Sequence, residues 1–312
     1  MRLTPKGFRR FKSSRLRLNT KSNGRTALKI FRNFSDSYNT TFIELFSWKL
    51  TVARTFIGEL KKYIINFSVN KYNSLSKLKN SRSGVAVICA LGPSIYEDKK
   101  ALRELLTKAS NNKALFVINH YLTTEFADIK PSFQVLSDDN FFNNPVSLRY
   151  VKLVENFPEI DIITRVSNNY IFTNNNVIYF SGLNFPTVLK TKNPKFPVGY
   201  SDISIIHTMA IANFIGFSQI VVCGFDNNRF MQIHSVKPGE ILFKGMHAYD
   251  SDIIENWGTR DTMAKVLASH LSILKSLNLF KKLKIFIIGE SSLVDIFPKI
   301  QIREALDLFQ DE

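Results

Sequence analysis

The sequence lacks the features that would place it outside the cell or within a bilayer. It contains only 2 cysteines, Cys89 and Cys223, among 312 residues, and no cysteine or histidine spacing typical of a zinc site. No apolar run reaches the length of about 18 residues that indicates a transmembrane helix. Basic residues interrupt the N-terminus, which argues against a secretory signal peptide. These absences predict buried, reduced thiols in a cytoplasmic protein.

Acidic residues are scarce in the first quarter of the chain. Residues 1–82 hold 19 of the 42 lysines and arginines but only 3 of the 26 acidic residues, so the whole net charge of +16 belongs to this segment. Residues 83–312 carry equal numbers of both signs. We therefore divide the chain into a basic, partly helical N-terminal segment, 1–82, and an electrically neutral domain, 83–312.

The N-terminal segment combines basic and aromatic residues at helical spacing over residues 27–72. This pattern fits a helix on an anionic membrane surface and fits equally a helix that packs on a partner or on the main domain. Residues 71–82 are polar, and we expect a linker there. Such a charge would also bind almost any polyanion, so we expect no specific nucleic-acid partner.

From residue 84 onward, short apolar runs alternate with helical patterns. Predicted helices cover residues 96–109, 140–156, 202–214 and 259–277. The predicted strands are 85–90, 115–119, 133–136, 161–165, 177–180, 220–224 and 284–288. This alternation predicts an α/β fold with a Rossmann-like, mainly parallel sheet and flanking helices.

The first strand runs into the small turn Gly92-Pro93-Ser94 and then into a helix. Ser94 and Glu97 have the spacing of a capping box, so we expect the helix to begin at this turn. Gly92 would let a ligand approach the backbone, and the free N–H groups of the helix N-terminus would attract an anion. An alternative is an ordinary helix start with no ligand.

Three further strand ends carry small or polar residues. They are Asn119 after the second strand, Ser137-Asp138 after the third, and Gly224 and Asp226 after the sixth. The carboxyl ends of parallel strands share one edge of a sheet, where ligands of α/β proteins bind. Together with the Gly92 turn, these residues predict a nucleotide-sized pocket.

His247 is the candidate general base, because it lies in a glycine-flanked loop between a predicted strand and a predicted helix. An exposed loop histidine is the alternative, and His234, in a polar stretch, remains a second candidate base. His207 and His270 follow helical patterns and are expected to pack or to lie on the surface. Asp250-Ser-Asp252 has the D-x-D pattern of some metal-binding sites, but we expect no metal there or at Asp138.

Several of these motifs occur in an order that resembles a known family. They are GPSI at 92–95, VIN at 117–119, AIANFIGFSQIVVCGFD at 210–226 and LKIFIIGESSLVDIF at 283–297. In this order they resemble the bacterial glycosyltransferase family 42, the sialyltransferases, and the related MptE-like and motility-accessory-factor proteins, which share that core. The resemblance spans about residues 84–300 and implies a GT-A-like variant of the Rossmann-like fold.

The resemblance implies an inverting, metal-independent transfer of an acidic sugar, such as sialic acid or a related ulosonic acid, from a CMP-activated donor to a cell-surface glycan. His247 would take the acceptor proton, and Tyr249 would assist at the leaving phosphate. No cofactor is implied. The implied donor-binding residues are Gly92, Pro93, Ser94, Asn119, Ser137, Asp138, Ser201, Gly224 and Asp226.

These expectations place the protein in the cytoplasm, peripheral to the inner membrane through residues 1–82, with a CMP-sugar donor and a glycan acceptor as partners. Whether it forms a homo-oligomer is left open. One alternative is an MptE-like pyrophosphokinase that uses ATP and magnesium on a pterin. Another is a polyanion-binding protein with a non-catalytic α/β domain.

Overall fold

A computed structural model describes residues 73–137, 145–165, 172, 176–180, 193–194, 203–227, 233–237, 240–244, 254–256, 270–271, 273–274 and 276–310. Its main feature is a seven-stranded sheet in which every pair of neighbours is parallel. The strands are β1 (Val85–Cys89), β2 (Leu115–Ile118), β3 (Phe133–Leu136), β4 (Asp161–Arg165), β5 (Val177–Phe180), β6 (Gln219–Cys223) and β10 (Lys284–Ile288). All seven predicted strands are thus confirmed to within one residue at either end.

These strands form because their sequences are rich in β-branched and aromatic residues with few polar interruptions. VAVIC of β1 and LFVI of β2 are buried along their whole length. Burial on both faces is possible because helices cover the sheet on each side. The fold is therefore a Rossmann-like α/β arrangement, as the sequence predicts.

The helices are α1 (Asn73–Lys77), α2 (Lys99–Asn111), α3 (Pro145–Glu155), α4 (Ser204–Ile215) and α5 (Ile302–Asp307). Residues of α2, α3 and α5 pack in the core on one face of the sheet. Residues of α1 and α4, with helical residues between 270 and 277, pack in the core on the other face. Within the described ranges, no helix has the length and apolar character needed to span a membrane.

The strand order creates a topological switch at β1. The order across the sheet is β10-β6-β1-β2-β3-β4-β5, so the chain proceeds outward from β1 to β5 and then returns to the other side of β1. In such sheets the connections after the two central strands leave on opposite faces, which opens a crevice at their carboxyl ends. The turns after β1 and β6 meet at that place.

A second, antiparallel sheet was missed by the sequence analysis. It contains β7 (Ile233–Lys237), β8 (Glu240–Lys244) and β9 (Ile254–Asn256). His234 therefore lies in a strand rather than in a polar loop. Neither IHSVK nor EILFK alternates apolar and polar residues, so both lack the period of two that indicates a strand.

Residues 73–82 are packed onto the α/β fold, and the expectation of a linker there is wrong. Leu75 of α1 is completely buried in the core. The N–H groups of Asn80 and Arg82 donate to the carbonyls of Phe214 and Ile215 at the end of α4, both at 3.1 Å. Two leucines, Leu75 and Leu78, within a polar stretch were too weak a signal to predict this contact.

Candidate functional site

The turns that follow β1 and β6 pack directly on one another. Gly92 N donates to Gly224 O at 2.8 Å, and Ala90 N donates to Cys223 O at 2.9 Å. A Cβ on Gly92 would lie 2.5 Å from Gly224 O, and one on Gly224 would lie 2.2 Å from Ala90 O. Gly224 also has a φ of 68°, which residues other than glycine rarely adopt. Glycine is required at both positions because two backbones approach each other.

Asp226 occupies the place that the sequence analysis assigned to a ligand anion. Its carboxylate accepts a hydrogen bond from Ser94 N at 3.0 Å and a short one from Ser94 Oγ. Asp226 is 3% exposed and Ser94 is 8% exposed. The expectation that the amide of Ser94 is free to bind a phosphate is therefore wrong. The carboxylate of the chain itself satisfies this amide.

Burial raises the pKa of Asp226 above its ordinary value of 3.8. The two hydrogen bonds from Ser94 act in the opposite direction, and the nearby negative charge of Glu97 adds to the increase. Asp226 is therefore a carboxylate that is held by hydrogen bonds in a poorly hydrated place.

The helix begins later than predicted. Residues 93–96 form a single 3₁₀ turn, and α2 starts at Lys99, where the Asp98 side chain accepts from Ala101 N at 3.0 Å. The predicted capping box of Ser94 and Glu97 is therefore wrong. Ser94 is bound to Asp226, and Glu97 accepts from Ser291 Oγ at 2.7 Å. The contacts that displaced the capping box are long-range in sequence, so the local pattern could not show them.

The turn after β10 completes this part of the edge. Leu293 N donates to Asp226 O at 2.8 Å, and Ser292 Oγ donates to Phe225 O at 2.6 Å. Gly289 has a φ of 117°, and a Cβ there would lie 3.0 Å from Ser94 Oγ. The ends of β1, β6 and β10 are thus joined by hydrogen bonds into one closed unit.

Asn119, which follows β2, has a side-chain oxygen without a partner. Its backbone is left-handed, with φ 52°, and its N–H donates to Val135 O at 3.0 Å. Its Oδ1 is buried and accepts no hydrogen bond in the part of the chain that the structure describes. Most buried polar atoms have a partner, so such an atom at the carboxyl edge of the sheet requires an explanation.

Asn227, which follows β6, shows the complementary feature. Its backbone is also left-handed, with φ 51°, and its Nδ2 is buried without an acceptor among the described residues. Its carbonyl lies 3.1 Å from Nδ1 of His270. A carbonyl can only accept, so Nδ1 of His270 carries the proton in this contact. The sequence analysis did not name Asn227 as a site residue and expected His270 only to pack or to lie on the surface. An asparagine after the glycine turn was the only signal for Asn227.

Ser137 faces the interior of the fold. It is completely buried at the end of β3, and its Oγ donates to Ser204 Oγ at 2.6 Å. This contact joins β3 to the beginning of α4. His207 of α4 is completely buried and lies beside Phe180, with ring centroids 5.2 Å apart, so its predicted packing role is confirmed.

The two cysteines are neighbours in the sheet. Cys89 and Cys223 are the last residues of β1 and β6, are paired in register, and are both free and completely buried. The hydrogen bond with Cys223 and burial raise the pKa of the Cys89 thiol. The prediction of buried, reduced thiols is confirmed, and they lie directly beneath the glycine turns.

Four predicted site residues lie outside the described residues, namely Asp138, Ser201, His247 and Tyr249. Their predicted roles stay predictions. Among the residues that are described, no group of three or more histidine, cysteine or acidic side chains is arranged to hold a metal ion.

Comparisons with known proteins identify no relative. No protein-family model, no curated protein and no solved structure matches this chain. The fold, the geometry of the edge and the sequence resemblance are therefore the features that bear on its function.

Proposed function

We propose that the carboxyl edge of the sheet binds a nucleotide, and that the chain is a glycosyltransferase that uses a CMP-activated acidic sugar. The topological switch at β1 supports a ligand site at this edge. The order of the sequence motifs supports the choice of CMP and of an acidic sugar. The donor and the transfer reaction are the specific part of this proposal.

One observation carries the proposal: at the same edge of the sheet, Asn119 and Asn227 each have a buried amide atom that finds no hydrogen-bond partner among the described residues. They follow β2 and β6, the two strands that flank β1. Asn119 offers an acceptor and Asn227 offers a donor, both buried. A nucleoside carries hydroxyl or amino donors together with carbonyl acceptors, so it can satisfy both. Binding would then remove the cost of leaving two buried polar groups unpaired.

The hydrogen bonds between Ser94 and Asp226 argue against phosphate binding at this turn. Ser94 N already pairs with the carboxylate of Asp226, and a phosphate beside this carboxylate would be repelled. In the proposed complex, Gly92, Ser94, Gly224 and Asp226 form the rigid floor of the crevice. The phosphate would bind elsewhere on this edge, and the resemblance implies the hydroxyl groups of Ser201 and Tyr249 as its partners.

The proposed reaction is a single inverting displacement. The acceptor hydroxyl oxygen attacks the anomeric carbon of the sugar, and its proton passes to His247. The bond between the anomeric carbon and the phosphate oxygen breaks, and the electron pair leaves with CMP. The donor already carries its phosphate leaving group, so the step requires no further activated reactant.

A nucleotide screen tests the proposal. The melting temperature of the full chain should rise with CMP more than with UMP, GMP or ATP plus Mg²⁺. Selective stabilisation by ATP plus Mg²⁺ would instead favour pyrophosphate transfer to a pterin. An equal effect of all four, or none, would contradict the CMP-sugar proposal.

The base is tested by hydrolysis of CMP-, UDP- and GDP-sugars. His247→Ala should abolish hydrolysis of the CMP-sugar, while His234→Ala, a substitution in β7, should retain it. Retained turnover in His247→Ala would contradict the assignment of His247 and would direct attention to His234 or Tyr249.

Residues 1–82 are proposed to hold the protein on an anionic membrane surface, because the net charge of +16 lies there beside aromatic residues. Flotation with anionic vesicles should recover the full chain and should lose the chain truncated before residue 73, just ahead of α1. Equal flotation of both would contradict the membrane role.

A further inference from the structure

Gln134 is a polar residue in a place where the fold favours an apolar one. It lies within β3, is completely buried, and pairs with Val117 of β2 and Ile162 of β4. Its sheet neighbours are apolar, and a buried amide is costly unless both its ends are hydrogen-bonded. The contacts that satisfy Gln134 therefore indicate what the residue does.

Gln134 belongs to a chain of hydrogen bonds in which the donor and the acceptor of each bond are fixed by chemistry. Leu122 N donates to Tyr150 Oη at 3.0 Å, Tyr150 Oη donates to Gln134 Oε1 at 3.0 Å, and Gln134 Nε2 donates to Asn119 O at 2.8 Å. One terminus is an N–H, which can only donate, and the other is a carbonyl, which can only accept. A flipped Gln134 amide would place two acceptors together. Burial raises the pKa of Tyr150, so its hydroxyl keeps the proton that it donates.

This chain holds the turn that presents Asn119. Val135 O accepts from the N–H of Asn119, and Gln134 donates to its carbonyl, so adjacent residues of β3 hold both of its main-chain groups. The left-handed backbone of Asn119 is costly for a non-glycine residue and persists only where its surroundings support it. With the main chain satisfied, the side-chain Oδ1 is the atom left without a partner among the described residues.

We infer that Gln134 and Tyr150 are positioning residues of the ligand site. They fix the turn of residues 119–122 so that the Asn119 amide meets the ligand without rearrangement, although neither residue is proposed to touch the ligand. This inference rests on the proposed function, because CMP is the ligand that is used to test it.

Three substitutions separate positioning from packing. Tyr150→Phe keeps the ring that packs beside His120, at a centroid distance of 4.9 Å, and removes only the hydroxyl group. Gln134→Met keeps the volume and removes both hydrogen bonds. Gln134→Glu can replace the amide only when protonated, because a carboxylate cannot donate to Asn119 O. Tyr179→Phe in β5 is the matched control.

The first measurement needs no ligand. Hydrogen exchange of the amides of residues 119 and 122 should become at least about tenfold faster in Tyr150→Phe and Gln134→Met, while exchange in β6 stays unchanged. In Gln134→Glu the acceleration should appear only as the pH rises above the elevated pKa of a buried glutamate. Unchanged exchange of the 119–122 turn would overturn the inference even if CMP binds.

The second measurement is the affinity for CMP. Tyr150→Phe and Gln134→Met should weaken binding at least about fivefold, with affinity in Gln134→Glu recovering at low pH, and Tyr179→Phe should bind as the wild type does. A mobile turn with unchanged CMP affinity would overturn the positioning role. If the wild type binds no CMP, the proposed function fails, and the inference that this turn serves a CMP site fails with it. The exchange result then decides only whether Gln134 and Tyr150 hold the turn.

Discussion

The polar groups at the carboxyl edge of the sheet fall into two regions that differ in how they are satisfied. At the ends of β1, β6 and β10, Asp226 pairs with both polar groups of Ser94. At the turns after β2 and β6, Asn119 and Asn227 each keep a buried amide atom without a partner among the described residues. In the first, which we call the closed region, these polar groups are paired with each other. In the second, the open region, two amide atoms without a partner in the described part of the chain are available to bind a ligand.

This difference shows that a polar residue at a strand end is not in itself a ligand group. Asp226 and Asn227 are adjacent in sequence, yet Asp226 accepts hydrogen bonds from Ser94, whereas Nδ2 of Asn227 has no acceptor within the described part of the chain. The small-residue turn at Gly92, which most suggested a phosphate site, serves to bring two backbones together. We therefore propose that the closed region stabilises the fold and that the open region binds the ligand.

The largest effect is expected in the closed region. Gly224→Ala would place a Cβ 2.2 Å from Ala90 O at a φ of 68°, so the turns after β1 and β6 must separate. We expect the free energy of unfolding to fall by about 3 kcal/mol or more, as measured by urea denaturation. Gly84→Ala, at a φ of 81°, measures the cost of the backbone conformation at another glycine. Equal losses in the two variants would contradict the close approach.

A smaller effect is expected from the charge of Asp226. Burial raises its pKa in the folded protein above 3.8, so the protonated form is favoured on folding. The stabilisation that comes from this raised pKa is fully present below pH 3.8, the ordinary pKa that applies to the unfolded chain. It is lost as the pH rises through the higher pKa of the folded protein. The stability of the wild type relative to Asp226→Asn should therefore decrease with increasing pH, in denaturation curves recorded at several pH values. An increase would mean that the hydrogen bonds from Ser94 outweigh burial.

The smallest effect on stability is expected in the open region. Asn119→Gly and Asn227→Gly remove the side-chain amides at positions with φ 52° and 51°, a backbone conformation that glycine adopts without strain. We expect changes in the free energy of unfolding within about 1 kcal/mol, since no observed side-chain hydrogen bond to the unpaired atoms is lost. A loss as large as that of Gly224→Ala would show that these amides hold the fold together.

The sequence predicts the sheet well because its signal is local. Runs such as VAVIC and QIVVC contain the β-branched, apolar residues that a strand buried on both faces requires. Ser94 and Asp226 meet across 132 positions, and Gln134 and Asn119 across 15, so their contacts depend on the assembled fold. The sequence therefore showed which edge of the sheet to examine, but the hydrogen bonds of the fold were needed to separate its two regions.

The most direct test of the central claim is a calorimetric titration of CMP against the wild type, Asn119→Gly and Asn80→Gly. Asn80 is a matched control, because it also has φ 52° but is exposed and precedes β1, at the opposite edge of the sheet. We predict that Asn119→Gly weakens binding at least about tenfold, the loss of about 1.4 kcal/mol expected for one buried hydrogen bond, and that Asn80→Gly has no effect. Equal affinities for CMP in all three proteins would contradict the account.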